Sequence, residues 1–227
     1  MSSYLRPTIK LPFRQRLKSH SNYLLTLLLI LLTSACSMLP KDFERTDSFS
    51  YKDTEQTFLG RNASKLQSGD TVNSTMSLIT EGTDAFLTRM ALLSMAERSV
   101  DVQYYIWRSD IIGKLLMNRM LEVADRGVRV RILLDDLSLD DKTKDILYAM
   151  DHHPNINVRI YNPFSSGRYK VHAALVDTAR INHRMHNKSF TIDNQYTIVG
   201  GRNIEENYYS ANEISNFADL DMVAVGP

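Results

Sequence analysis

Between residues 77 and 161 the spacing of apolar residues changes repeatedly, and this change of period restricts the fold more than any other feature of the chain. Ser77 to Thr80 reads as a short strand, and Glu81-Gly82-Thr83-Asp84 as a turn that caps a helix. Phe86, Leu87, Met90, Ala91 and Leu93 then recur at helical spacing. Val100 to Trp107 is β-branched and aromatic, the composition of a strand. Ile112, Leu115, Leu116, Met120 and Val123 form the stripe of a second helix, which Gly127 closes. Val128, Val130, Ile132 and Leu134 alternate with Arg129, Arg131 and Leu133 in a strand ending at Asp135-Asp136. A weaker helix is predicted over Lys142 to Met150, and a further strand over Val158 to Tyr161. Strands alternating with helices predict an α/β sandwich, with the Met and aromatic stripes in its core.

With 227 residues, 43% of them apolar, the chain can bury one ordinary core, or at most two. Its first 36 residues have a different character. Arg6, Lys10, Arg14, Arg16 and Lys18 precede the apolar run Tyr23 to Leu32, followed by Thr33-Ser34-Ala35-Cys36. Basic, apolar and small-residue regions in that order make an export signal over 1–36. The apolar run is short for a bilayer span, which takes about 20 residues. Cys36 is the single cysteine, so no disulfide forms within the chain. Its setting resembles a bacterial lipobox, with Thr33 where an aliphatic residue is usual. The resemblance implies lipid attachment at Cys36 and a membrane-anchored, periplasm-facing protein of the bacterial envelope, against the plainer reading of an uncleaved anchor. Residues 37–76 are polar and show no lasting period, so a tether is expected before a domain over 77–227.

The formal charge is +1, but five of the 27 basic residues and none of the 26 acidic ones lie in the signal, leaving 22 against 26, about −4. That balance argues against a broad nucleic-acid surface, which needs a surplus of Lys and Arg.

The chemistry concentrates in His186-Asn187-Lys188-Ser189-Phe190-Thr191-Ile192-Asp193 and the returning strand Tyr196 to Val199. In extended backbone, positions i and i+2 face one side, so His186 and Lys188 project into one space. An imidazole attacks phosphorus or delivers a proton near neutral pH, and an ammonium holds phosphoryl oxygens as charge gathers on them. This chemistry needs no metal or other cofactor. Asp193 is a candidate to orient a histidine. Gly200-Gly201 is expected to let backbone approach a ligand, and Arg202-Asn203 to open a short helix through Tyr209 whose amides suit an anion.

His186-x-Lys188 with Asp193, followed by Gly200-Gly201-x-Asn203, resembles the HKD signature of the phospholipase D superfamily. Asp101 to Trp107, Asp125 to Val130, Leu133 to Asp136, Asn162-Pro163-Phe164 and Phe217 to Asp221 resemble its bacterial cardiolipin-synthase-like branch. The resemblance covers about residue 77 onward. It implies a phospholipase D-type α/β sandwich, one half of the usual two-lobed enzyme, acting on phospholipid at a membrane. It also implies transfer through a phosphohistidine, with a second histidine protonating the leaving alcohol. His186 is then nucleophile or acid, Lys188, Gly201 and Asn203 bind phosphate, and Asp193 orients a histidine.

Members of that branch carry two such motifs, and only one is visible here. His152 and His153 have no lysine two positions on, and neither do His172 or His183. The second half is expected from a missing C-terminal lobe or from a homodimer partner across a two-fold axis. The other function classes are a homodimeric nuclease of the superfamily and an inactive half-domain.

Overall fold

The computed structural model describes residues 23, 26, 47–67, 73–164 and 182–226. The export signal, Cys36 and His172 lie outside them, apart from Tyr23 and Thr26. Residues 44–164 and 177–227 form one compact unit, and the description below concerns it.

In this unit, helix α1 (Phe58–Gln67) precedes strand β1 (Thr75–Ile79). There follow α2 (Gly82–Met95), β2 (Ser99–Tyr104), α3 (Ile111–Asp125), β3 (Arg129–Asp135), α4 (Asp141–Asp151) and β4 (Ile156–Tyr161). Three more strands complete the unit: β5 (Lys188–Ile192), β6 (Tyr196–Gly200) and β7 (Asp221–Val225). Among the described residues the sheet has seven strands in the order β1-β7-β6-β5-β2-β3-β4. β2, β3 and β4 run parallel, joined by α3 and α4, because parallel neighbours need a crossover. β5 enters the middle of the sheet antiparallel to β2, and β6, β7 and β1 continue outward antiparallel.

Each expected strand and helix from Ser77 to Tyr161 is present, and local chemistry explains the boundaries. Asp110 accepts from the Gly113 amide at 2.9 Å and Asp140 from the Thr143 amide at 2.7 Å, which caps α3 and α4. Past the end of α3, Gly127 takes φ +89°, a conformation that costs other residues strain. Val100, Val102, Val130, Ile132, Leu134, Phe190, Ile192 and Ile198 line one face of the sheet and are at most 2% exposed. Leu92, Leu93, Leu116, Met120 and Val123 of the helices join the same core. Fully burying Phe190 or Ile192 contributes about 1.5–3 kcal/mol each. The opposite face carries Asp101, Gln103, Arg131, Asn157, Ser189 and Thr191, all half-buried or exposed.

Two expectations are corrected. Residues 47–67 are not a structureless tether. Tyr51 lies between two guanidiniums, 3.9 Å from Arg129 and 4.9 Å from Arg98, and Thr54 and Thr57 are buried. The Thr57 hydroxyl accepts from the Gly60 amide at 3.0 Å, starting α1, which buries Leu59 and Ala63. The apolar residues involved are too few for a visible period, and the order comes from contacts with distant arginines. The short helix expected through Tyr209 is a three-residue 3-10 turn, Glu206–Tyr208.

The β5–β6 hairpin turns at Asp193 and Asn194, with φ of 51° and 53°. The Asp193 carboxylate, fully buried, accepts from the amides of Glu97 at 3.1 Å, Arg98 at 2.7 Å and Ser99 at 2.9 Å. It thereby ties the hairpin to the start of β2. Asp193→Ala leaves those amides without their acceptor and strains the turn, so urea unfolding should show a loss of about 2–4 kcal/mol. Asp193→Asn, which keeps an acceptor and tolerates positive φ, should lose less.

Candidate active site

Lys188 opens β5, and His186 lies two residues earlier in extended backbone. The Lys188 Nζ is 3.2 Å from His186 Nδ1 and donates to the His186 carbonyl at 3.3 Å. The two side chains therefore share one space, as the i, i+2 spacing requires. The imidazole is exposed and the lysine half-buried.

The backbone leading to this pair is fixed by a buried carboxylate at the end of β3. Asp135 accepts from the Met185 amide at 2.8 Å, from Arg184 Nη1 at 2.9 Å and from the Leu137 amide at 2.8 Å. Arg184 also donates to the Asn162 carbonyl at 3.1 Å, and Asn162 Nδ2 to the His183 carbonyl at 2.8 Å. Asp136 accepts from the Phe164 amide at 2.7 Å and pairs with Lys144. The ring of Tyr105, just past β2, packs on His186 with centroids 4.5 Å apart.

Burial lowers the pKa of Lys188 below the ordinary lysine range, and the negative charge of Asp219 opposes that shift. Asp219 precedes β7 beside Gly201, where an added Cβ would lie 2.0 Å from the Asp219 Oδ1. At Gly200 a Cβ would lie 2.5 Å from the Leu220 carbonyl oxygen. The glycine pair thus lets the chain's own Asp219-Leu220-Asp221 pass close by, and the Gly201 amide donates to the Leu220 carbonyl at 3.1 Å. Asn203 is likewise bonded within the chain. It is 3% exposed, its Oδ1 accepts from the Ile106 amide at 3.1 Å, and its Nδ2 donates to the Tyr208 hydroxyl at 3.0 Å. Asp193 is not brought to a histidine either. It lies at the far end of β5, five residues from Lys188, about 17 Å along an extended strand.

Beneath the pair, Asp221 is sealed between Arg89 Nη2 at 2.9 Å and Arg202 Nη1 at 3.8 Å. Arg202 is 1% exposed, not a solvated charge beside the motif. Burial alone would lower the Arg89 pKa, but the Tyr104 and Tyr209 hydroxyls and Asp221 outweigh it and raise it. Sequence reasoning missed the roles of Tyr105, Asp135 and Asp219, although their segments carried the family resemblance. A recess of about 400 Å³ lined by Arg108, Lys114, Asp140 and Glu205 holds neither His186 nor Lys188. His152 and His153 stay outside the site, bonded to the Tyr148 carbonyl and to Asp125.

The described unit thus joins a parallel β2-β3-β4 half to an antiparallel β5-β6-β7 half, with a His-Lys pair at their junction, an α/β class of protein. Residues 90–220 match the family described as "Cardiolipin synthase, PLD-like domain", and the chain belongs to that family. It is 51% identical over 144 residues to cardiolipin synthase C of Escherichia coli (strain K12), covering 63% of this chain and 30% of that protein. The chain thus spans less than a third of that relative's length. Among solved structures, phosphatidylserine synthase of Haemophilus influenzae Rd KW20 superposes with TM-score 0.52 at 14% identity, over 73% of this chain and 38% of that one. NucT from Helicobacter pylori superposes with TM-score 0.50 at 20% identity, over 67% of this chain and 86% of its own. Both likenesses show the phospholipase D fold.

Because folding lowers the Lys188 pKa, the folded chain sheds this proton at lower pH than the unfolded chain. The group therefore favours folding as pH rises through that interval. Removing the Asp219 charge in Asp219→Asn should depress the Lys188 pKa further. Titration of ¹⁵N-labelled lysine by NMR checks both statements.

Proposed function

We propose that the chain supplies one half of a phospholipase D-type active site, a phosphatidyltransferase or phosphodiesterase site for phospholipid. The observation carrying this reading is the His186–Lys188 pair, 3.2 Å apart at the start of β5 with the imidazole exposed. The 51% identity to a protein named cardiolipin synthase C supports a phospholipid over another phosphodiester, and so does the acidic balance of residues 36–227.

The reaction takes two histidines. One imidazole nitrogen attacks phosphorus, forming a P–N bond as the P–O bond to the leaving alcohol breaks, and the other imidazole gives that alcohol its proton. Water or an acceptor alcohol then attacks phosphorus, the P–N bond breaks, and the incoming oxygen yields its proton to the second histidine. His186 fills one of these roles. Lys188 holds the non-bridging oxygens, whose charge grows toward the transition state. The counterpart of His186 comes from a second half-site. A second copy of this chain or further chain, as in the longer relatives, provides it. The N-terminal segment delivers the protein to the bacterial envelope, where a lipid on Cys36 holds the site at the membrane that contains its substrate.

The full chain in detergent, assayed on phosphatidylglycerol and on single-stranded DNA with its mass in solution measured in parallel, tests this reading. His186→Ala and Lys188→Ala should each reduce lipid turnover by about 10²–10⁴-fold. Turnover that persists in His186→Ala would remove the assigned role. DNA cleavage without lipid turnover would transfer the site to a nuclease, and a monomer inert on both would leave a half-domain without activity of its own.

A further inference from the structure

One ring touches both members of the pair. The Tyr105 ring centroid is 4.5 Å from that of His186, tilted by 45°, and 5.7 Å from the Lys188 Nζ. With the 3.2 Å contact between Nζ and Nδ1, the three groups close a triangle. We propose that Tyr105 is the positioning residue of this site, a fixed aromatic shelf that aims the His186 imidazole and the Lys188 ammonium at the same phosphoryl group. The proposal rests on the reading of His186 and Lys188 as the phosphate-handling pair.

The shelf is fixed because its neighbours along the chain are anchored. Tyr104 ends β2 opposite Lys188, fully buried, and accepts from Arg89 Nε at 3.2 Å. Trp107, also fully buried, packs edge-on against Tyr104 with centroids 5.5 Å apart. Between them the Ile106 amide donates to Asn203 Oδ1 at 3.1 Å, and the Ile106 carbonyl accepts from the Ile204 amide at 3.1 Å. The backbone of Tyr105 is thus held on both sides, and because β2 ends at Tyr104 its ring is free of the strand's alternation and lies against His186 and Lys188. Asn203 thereby holds the amide that follows the shelf.

The shelf is needed because the imidazole is exposed and the ammonium sits on a flexible four-carbon stem. Two groups acting on one phosphorus must converge, and each rotamer that points elsewhere lowers the fraction of competent sites. An aromatic face attracts an imidazole ring placed against it and a cation above it. The interaction uses the ring and not the phenolic hydroxyl, so phenylalanine should replace tyrosine at this position. The ammonium can only donate, so its contact makes Nδ1 the acceptor and leaves the neutral imidazole proton on Nε2. The shelf therefore fixes a tautomer as well as a direction.

The test uses the full chain in detergent with ¹⁵N-labelled histidine, the wild type beside Tyr105→Phe, Tyr105→Leu and Tyr105→Ala. Backbone amide spectra establish which variants fold, and leucine keeps bulk without a ring should alanine collapse. With the imidazole neutral, the wild-type His186 nitrogens should show the separated shifts of a single Nε2–H form. Tyr105→Leu and Tyr105→Ala should move both toward the average of the two tautomers, and Tyr105→Phe should match the wild type. Titration with inorganic phosphate, followed on the Lys188 and His186 signals, should show affinity about two- to fivefold weaker without the ring. His186 signals unchanged in Tyr105→Leu, or altered in Tyr105→Phe as in Tyr105→Leu, would overturn the proposal. Absence of phosphate binding by the wild type would overturn the reading of the pair instead, and the tautomer comparison would still decide Tyr105.

Discussion

Two buried carboxylates fix β5 at its two ends, and the rest of the site depends on that restraint. At one end Asp193 gathers the amides of Glu97, Arg98 and Ser99. At the other, Asp135 gathers the Met185 amide and the Arg184 guanidinium just before His186. Hydrogen bonds to a charged acceptor contribute about 1.5–3 kcal/mol each, more than neutral ones, and leaving the donors unmet in the interior costs more than losing an exposed contact. A five-residue strand in the middle of a sheet, held in this way, has little freedom to slip or rotate. His186 and Lys188 inherit their placement from it, as a catalytic pair on a loose loop would not.

A second restraint lies under the first. Asp221 between Arg89 and Arg202 begins β7, and β7 must pass close to Gly200 and Gly201. Buried ion pairs often add little net stability, because desolvation of the charges offsets their attraction. Their geometry, however, is demanding. Arg89 reaches from α2 to Asp221 and the Tyr104 hydroxyl, while Arg202 donates to the carbonyl of Ile79 at the end of β1. The cluster therefore joins α2, β1, β2 and β7 at one depth below the site. It also sets the height of Asp219, two residues before Asp221, whose charge acts on Lys188.

The sequence showed most of the fold, because helices and parallel strands differ in period and their caps are local. Asp110, Asp140 and Gly127 act on residues within three positions of themselves, so their effect is readable from a single chain. The pair His186 and Lys188 was readable for the same reason, as i and i+2 of an extended segment. Asp193, Gly201 and Asn203 belong to the same motif, yet their partners lie far away in the chain. Asp193 bonds to residues 94–96 positions distant, and Asn203 to an amide 97 positions away. Spacing along the motif places a residue near a site in sequence, but whether its polar atoms are already committed is decided by tertiary contacts. The strap from 47 to 57 was hidden likewise, since Tyr51 gains its order from two arginines on another part of the chain.

The lysine links the remaining parts of the site. An ammonium has three hydrogens, and among the described residues Lys188 directs two toward His186, at Nδ1 and at the carbonyl. The third is left for an incoming oxygen. Partial burial lowers the pKa of this ammonium and Asp219 counteracts that effect, so the pair depends on a carboxylate it does not touch through any hydrogen bond shown here. Phosphate brings further negative charge to Nζ and favours its protonated form, as Asp219 does. On the proposed reading, phosphate binding and the charge on Lys188 reinforce each other, with the Tyr105 ring and the Asp135 clamp beside the imidazole. A carboxylate anchored in β7, an ammonium on β5 and a ring from β2 converge only because these three strands are held in register through the buried cluster below.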